Sequence, residues 1–154
     1  MRRMLSAVAL FAMAGALFAA DPFEGTWKLN PSKTKFTQGA APKEEALVVA
    51  KQGDDYLVTI TGTGESGTPV SIKYTVPMNG GEGKILDGPY DAVSAKRIDP
   101  KTRETIYSKG GHEVRSSHGV VAKDGKSLRV TLKGTDAAGK PVAGTLVFDR
   151  QPGS

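Results

Sequence analysis

The chain has 154 residues, with 21 lysines and arginines against 16 aspartates and glutamates, and a formal net charge of +5. Its basic residues are scattered singly, a pattern that predicts no nucleic-acid partner and no binding to an anionic membrane surface. The absence of cysteine excludes a disulfide framework, a cysteine nucleophile, an iron–sulfur cluster and a lipidated cysteine that would provide a stable membrane anchor.

The N-terminal segment has the pattern of a cleavable signal peptide. Two arginines precede an unbroken run of apolar and small residues over 5–20. That run is too short to span a membrane comfortably, since a spanning helix needs about twenty apolar residues. We therefore predict a signal peptide at 1–20, cleaved after one of the two alanines that end the run. A secreted or periplasmic domain follows at 21–154.

The mature chain predicts a single all-β domain. Apolar residues recur at every second position, as in Val70, Ile72, Tyr74 and Val76, which is the period of a half-buried strand. Turns rich in glycine and aspartate separate such runs and favour hairpins between consecutive strands. The predicted strands are 24–30, 44–51, 56–62, 69–77, 91–98, 103–109, 112–122, 127–134 and 141–149. We expect one antiparallel meander that closes into a barrel of about eight to ten strands.

Two segments interrupt the predicted meander. Within 30–43, Asn30 is suited to cap a single helical turn with Pro31 in its first position. Within 78–90, the glycine-rich run 79–83 lacks the following helix and the Lys-Ser/Thr pair of a phosphate-binding loop. We therefore expect a flexible loop, at the mouth or as a lid, and no nucleotide cofactor.

An internal repeat relates two parts of the chain. Residues 48–70 align without a gap with residues 120–142, and about half of the positions are identical, turns included. Each copy predicts three strands joined by two tight turns, and two curved units of this kind, linked by strands within 91–109, are suited to close a barrel. The alternative is that the two segments independently acquired a similar sequence because it favours hairpins. Both interpretations favour a sheet.

The residues that could carry chemistry form no predicted catalytic or metal site. His112 and His118 fall on one face of a predicted strand, but six residues at about 3.3 Å each place them roughly 20 Å apart, too far to share a zinc ion. Ser116 and His118 share a face but lie about 6–7 Å apart at the backbone, and no oxyanion hole or acid partner accompanies them. We predict no catalytic residue, no metal and no cofactor.

The first mature strand carries a Gly-x-Trp motif, Gly25-Thr26-Trp27. With this motif and its meander, the chain resembles the lipocalin-like and fatty-acid-binding-like (calycin) β-barrels. The resemblance implies that Gly25 and Trp27 close one end of the barrel, with Arg150 of the last strand stacked on the indole; the alternative is an ordinary core tryptophan and a solvated arginine. The chain lacks the capping helix pair and the Arg-x-Tyr of the fatty-acid binders, so a fatty-acid ligand is not implied.

A wider pattern, Gly-Thr-Trp-Lys-Leu-Asn-Pro-x-Lys near the start and Lys-Asp-Gly-Lys-x-Leu-x-Val-Thr near the end, also resembles uncharacterised secreted bacterial proteins of this size. That resemblance implies no activity.

The function predicted from these features is non-enzymatic binding of a small apolar or amphipathic molecule inside the barrel. The predicted ligand-binding residues, any of which could instead fill a closed core, are Ile72, Tyr74, Arg97, Tyr107 and Arg115. Arg97 or Arg115 would anchor an anionic group. The alternative is a packed barrel without a cavity, which meets a protein or cell-envelope partner through its outer surface.

Overall fold

A computed structural model describes residues 21–153, and the predicted signal peptide at 1–20 lies outside the described residues. The described chain forms twelve β-strands. Within these residues, no helix is long and apolar enough to cross a membrane. The strands are β1 (Gly25–Leu29), β2 (Lys35–Gln38), β3 (Glu44–Gln52), β4 (Asp55–Thr63), β5 (Pro69–Pro77), β6 (Gly80–Glu82), β7 (Lys84–Asp87), β8 (Ala92–Asp99), β9 (Thr102–Lys109), β10 (His112–Val121), β11 (Ser127–Thr135) and β12 (Pro141–Arg150).

All nine predicted strands are present, and three short strands lie in the two segments predicted to be irregular. β6 and β7 lie within 78–90, and β2 lies within 30–43. The turn predicted at Asn30 is present as two overlapping hydrogen-bonded turns, in which Lys33 N–H donates to Asn30 O and Thr34 N–H donates to Pro31 O, both at 3.3 Å, but it is not a helix. The Asn30 carboxamide oxygen accepts a hydrogen bond from the Ser32 hydroxyl at 2.7 Å, and its amide donates to Asp149 Oδ2 at 2.9 Å. Because these bonds tie a simple turn to the last strand, the chain continues into β2 instead of a helix.

The strands form one antiparallel sheet that curls into a nearly closed barrel. Their order is β6-β8-β9-β10-β11-β12-β1-β3-β4-β5-β7, and β2 pairs with β12. The two ends of this order meet along the segment that joins β5 to β8, in which β7 pairs back to β5 and β6 pairs forward to β8. Gly83 N–H donates to Val93 O at 2.8 Å at this junction. The predicted all-β, antiparallel barrel is confirmed, and the three short strands raise the number of strands from the predicted eight to ten to twelve.

The two copies of the internal repeat lie on opposite sides of β1. The first copy forms most of β3, β4 and the start of β5, and the second forms the end of β10, β11 and the start of β12. Gly62 and Gly134 occupy equivalent positions in the two copies. A Cβ at Gly62 would overlap the carbonyl oxygen of Glu44, and one at Gly134 would overlap that of Val114. Each copy therefore depends on a glycine where neighbouring strands approach most closely.

A bulge in β10 changes which of its residues face the barrel interior. The register with β9 shifts by one residue just before Arg115, and Arg115 then lines the interior. His118 lies on the outer side, where its Nδ1 is 3.3 Å from Glu104 Oε1. The prediction that His112 and His118 share a face is wrong, because the extra residue interrupts the alternation between them.

Candidate functional site: the barrel cavity

A cavity of about 550 Å³ occupies the barrel interior. Residues from 39–42, from the turn 64–68 and from the turn at 136–137 form its mouth. The two turns are equivalent in the internal repeat, so each copy contributes the same structural feature to the opening. At the other end, Phe23 is buried and contributes to the cavity wall. The cavity is therefore a pocket with one open and one closed end.

Most of the cavity wall is apolar. Alternate residues of the long strands point inward, as the two-residue period requires, and they include Val49, Val58, Ile72, Leu132 and Leu146, all buried. A ligand in this space would exchange water for aliphatic and aromatic side chains. Burial of apolar area is worth about 25 cal/mol per Å², so the wall favours ligands with a large apolar body.

Three tyrosines form a cluster on one side of the cavity. The hydroxyl groups of Tyr74 and Tyr107 are 2.8 Å apart and share a hydrogen bond, and their rings meet edge to face with centroids 5.6 Å apart. Tyr90 packs on Tyr107 with a centroid distance of 4.8 Å. Burial raises the pKa of Tyr74 to about 12 and that of Tyr107 well above its usual value. The cluster is therefore neutral at physiological pH and offers ring faces with one paired set of hydroxyl groups.

Arg103 lies at the closed end of the cavity. Its Nη1 donates to Met78 O at 2.6 Å and its Nη2 donates to Pro77 O at 3.3 Å. The guanidinium carbon also lies 4.8 Å from the centroid of the Tyr56 ring. Burial lowers the pKa of Arg103 and raises that of Tyr56. Because its amino groups are taken up by backbone carbonyl oxygens, Arg103 mainly joins the β5–β6 connection to β9.

Glu45 and Arg115 place opposite charges on the cavity wall. Glu45 is on β3 opposite Gly62, and Arg115 is on β10 opposite Gly134. Burial raises the pKa of Glu45 to about 7, and the charge of Arg115 partly opposes this rise. The Nε of Arg115 is buried and has no hydrogen-bond partner. Because Arg115 also lines the cavity, its guanidinium group can receive an anionic or polar group that enters the cavity.

Trp27 and Arg150 lie together at the closed end, next to the buried Gly25. Trp27 is 0% exposed and its Nε1 donates to Phe23 O at 3.0 Å. The guanidinium carbon of Arg150 is 4.1 Å from the centroid of the indole ring. Arg150 also donates three hydrogen bonds to backbone oxygens; the acceptors are Glu24 O at 2.6 Å, Pro22 O at 2.6 Å and Gly125 O at 2.7 Å. A single side chain thus ties the start of the described chain to the last strand.

Four of the five residues predicted to bind ligand line the cavity, namely Ile72, Tyr74, Tyr107 and Arg115. Arg97 does not line it. In the strand register Arg97, near the end of β8, lies opposite Arg103 of β9. Arg103 is the residue that lines the cavity at that level.

Sequence reasoning missed Arg103 and Glu45, although both follow a usable signal. Arg103 is in phase with Tyr107 on β9, and Glu45 is in phase with Val49 on β3, so alternation places both inward. Tyr90 lies outside the strands and has no comparable signal.

The described residues contain no group of three or more His, Cys, Asp or Glu side chains able to hold a metal ion. Of the two neighbouring serines on β10, Ser117 lines the cavity. Ser116 lies opposite Ile106 of β9 in the strand register.

No family model matches the chain, and no curated protein matches it. Among solved structures, the zebrafish ileal bile acid-binding protein complexed with cholic acid is similar, with 12% sequence identity and a TM-score of 0.47, over 84% of this chain and 99% of that chain. A redesigned β-barrel, mFAP1, bound to DFHBI is similar with 14% identity and a TM-score of 0.39, over 83% of this chain and 96% of that chain.

Proposed function

We propose that this protein is an exported, non-enzymatic binding protein that holds a small apolar or amphipathic molecule inside its barrel. The observation that carries the proposal is the cavity of about 550 Å³. Small-molecule sites usually have about 300–1,000 Å³, apolar walls and a few convergent polar groups. This cavity has each of these properties. The export part of the proposal rests on the sequence pattern of residues 1–20.

The alternative function, a packed barrel acting only through its outer surface, assumes an interior filled by side chains. A cavity of about 550 Å³ is inconsistent with that assumption. The aliphatic residues on the outside, such as Leu86 and Ile98 at 50% and 49% exposure, are ordinary for a protein surface when they stand singly.

The polar groups of the wall indicate how a ligand would be oriented. The donors of Arg103 are occupied by backbone oxygens, whereas Arg115 keeps one buried donor without a partner. We therefore place the polar end of the ligand near Arg115 and its apolar body along the inward residues of β4, β5, β11 and β12.

A fluorescence titration tests the proposal. Phenylnaphthylamine is neutral and apolar, and its emission rises when it leaves water, so we expect saturable binding to the purified mature domain. Leu132→Trp should fill part of the cavity and weaken binding at least tenfold, since Leu132 is buried on the wall. The control is Thr131→Trp, because Thr131 is the exposed neighbour on the same strand. Equal binding by both variants, or no binding by the wild type, would contradict the proposal.

Mass spectrometry tests the other two parts of the proposal. Protein recovered from outside the cytoplasm of a secreting host should lack about twenty residues; a mass equal to the full chain would contradict export. Native mass spectrometry of the same material should detect a retained small molecule, and this molecule should be recovered chemically unchanged after prolonged incubation. A converted product would contradict the non-enzymatic assignment.

A further inference from the structure

Glu45 and Arg115 face one cavity from strands that are not neighbours in the sheet. Glu45 is on β3 and Arg115 on β10, and the sheet order places β11, β12 and β1 between them. Within residues 21–153, the ion pair closer than 4 Å is His118 with Glu104. Glu45 and Arg115 thus line one cavity without forming a direct ion pair, and the charge of Arg115 opposes the rise in the pKa of the Glu45 carboxyl.

The surroundings of Glu45 make Arg115 its main charged partner. On β4 the opposite residue is Gly62, which has no side chain. Tyr90 is electrostatically coupled to both Glu45 and Arg115, and burial raises its pKa. Tyr107, opposite Arg115 on β9, is likewise kept neutral by burial.

Two other carboxylates, Glu65 and Asp136, belong to the mouth turns and are exposed to solvent. Asp136 Oδ1 already accepts hydrogen bonds from the backbone N–H groups of Ala138 and Lys140, both at 2.9 Å. Solvent and these local bonds weaken their influence on the interior, so the charge on Glu45 is what decides how strongly Arg115 attracts an anion.

We propose that Glu45 competes with the anionic group of a ligand for Arg115, so that the cavity binds an anionic amphiphile together with a proton taken up by Glu45. This inference rests on the proposed function and names the ligand class. Glu45 is the specificity-determining residue. When its carboxyl is ionised, it balances the guanidinium and repels an incoming anion. When it is protonated, the charge of Arg115, which lines the same cavity, attracts the anionic group of the ligand.

The expected pH dependence follows from the Glu45 pKa of about 7. Below this value Glu45 is neutral and an anion binds well, whereas above it the anion must bind with protonation of Glu45. The affinity for an anion should therefore be about tenfold higher at pH 6 than at pH 8. A neutral ligand of the same shape should show no such change.

Two dyes with the same ring skeleton separate these cases. Anilinonaphthalene sulfonate carries a sulfonate that stays ionised at both pH values, and phenylnaphthylamine lacks it. In the wild type, the sulfonate dye should bind about tenfold more tightly at pH 6 than at pH 8, and the neutral dye equally at both.

Variants assign the pH dependence to a residue. Glu45→Gln should bind the sulfonate dye at pH 8 as tightly as the wild type does at pH 6. The matched control is Glu44→Gln, the exposed neighbour on the same strand, which should keep the wild-type pH dependence. Arg115→Gln should lose the preference for the sulfonate dye over the neutral one.

The outcomes distinguish this inference from the function on which it rests. If neither dye binds, the proposed function fails. If both bind but the sulfonate dye shows no pH dependence, or if Glu45→Gln keeps that dependence, only the role of Glu45 is overturned. Should Arg115→Gln fold poorly, nuclear magnetic resonance of the Glu45 carboxyl in the wild type provides the second measurement: its pKa must rise when the sulfonate dye binds, and an unchanged or lower value overturns the inference.

Discussion

Replacing Arg150 by alanine is expected to lower the free energy of unfolding by about 3–5 kcal/mol. Arg150 donates three hydrogen bonds to backbone oxygens and stacks on Trp27 at 4.1 Å. A hydrogen bond from a charged donor contributes about 1.5–3 kcal/mol, and a cation–π contact about 0.5–2 kcal/mol. The full sum of these contributions is an upper limit, because Arg150 is only partly buried. In the alanine variant, water can form some of the hydrogen bonds that the backbone oxygens lose.

Urea unfolding followed by tryptophan fluorescence measures this change directly, since Trp27 is the only tryptophan of the chain and is fully buried. Arg150→Lys keeps the charge but not the planar donor geometry, so we expect about half of the alanine effect. Arg129→Ala is the control: Arg129 is exposed on β11, and its loss should cost less than about 0.5 kcal/mol. A loss below about 1 kcal/mol for Arg150→Ala, with an unchanged dependence on urea, would refute the proposed role of Arg150 in closing the barrel.

Three further predictions concern the cavity wall and the sheet. Tyr74→Phe and Tyr107→Phe each leave one buried hydroxyl without its partner and should cost about 1–3 kcal/mol; the double variant should cost clearly less than the sum, and additivity in urea unfolding would contradict the shared bond. Gly62→Ala and Gly134→Ala should each lower the melting temperature by several degrees, because the added Cβ overlaps a backbone oxygen; a melting temperature equal to that of the wild type would show that the strands can separate without cost. Burial raises the pKa of Glu45 in the folded state to about 7, above the 4.5 of an unperturbed glutamate, so the folded state binds more protons between these values and loses stability as the pH rises from 4.5 to 7. Glu45→Gln should remove this loss of roughly 2–3 kcal/mol, which unfolding at pH 5 and pH 8 would measure, and a wild-type pH profile in the variant would contradict it.

The sequence predicts the long strands well because their side chains alternate and their turns contain glycine. Val70 to Val76 on β5 is an example: Ile72, Tyr74 and Val76 are all buried, and the intervening Ser71 and Lys73 are exposed. The short strands have no such signal. β6 is Gly-Gly-Glu, which has low strand propensity, and it forms because the β5–β8 connection passes the open side of the sheet.

Two physical limits of strand alternation account for what the sequence predicted wrongly: one concerns Arg97 and Arg103 on the cavity wall, and the other concerns the expected common face of His112 and His118. Alternation within a strand identifies inward residues, but it does not give their level along the barrel, which is why Arg97 was expected on the cavity wall and Arg103 was not. A single extra residue before Arg115 also reverses the phase of β10, and nothing in the amino-acid sequence marks this bulge. The coupling of Glu45 to Arg115 joins β3 to β10 across the interior, and it depends on the closed barrel.

The position of β1 between β3 and β12 has a consequence for how the chain reaches its native state. The bond between Asn30 and Asp149 joins residues 119 positions apart, and β12, the ten-residue final strand, supplies one whole side of the pairing of β1. The first strand can therefore pair only with β3 until β12 has been synthesised and, if the chain is exported, translocated. Such long-range closure is slow compared with hairpin formation. A protein truncated before residue 141 would keep its early hairpins and still fail to form a cooperative domain.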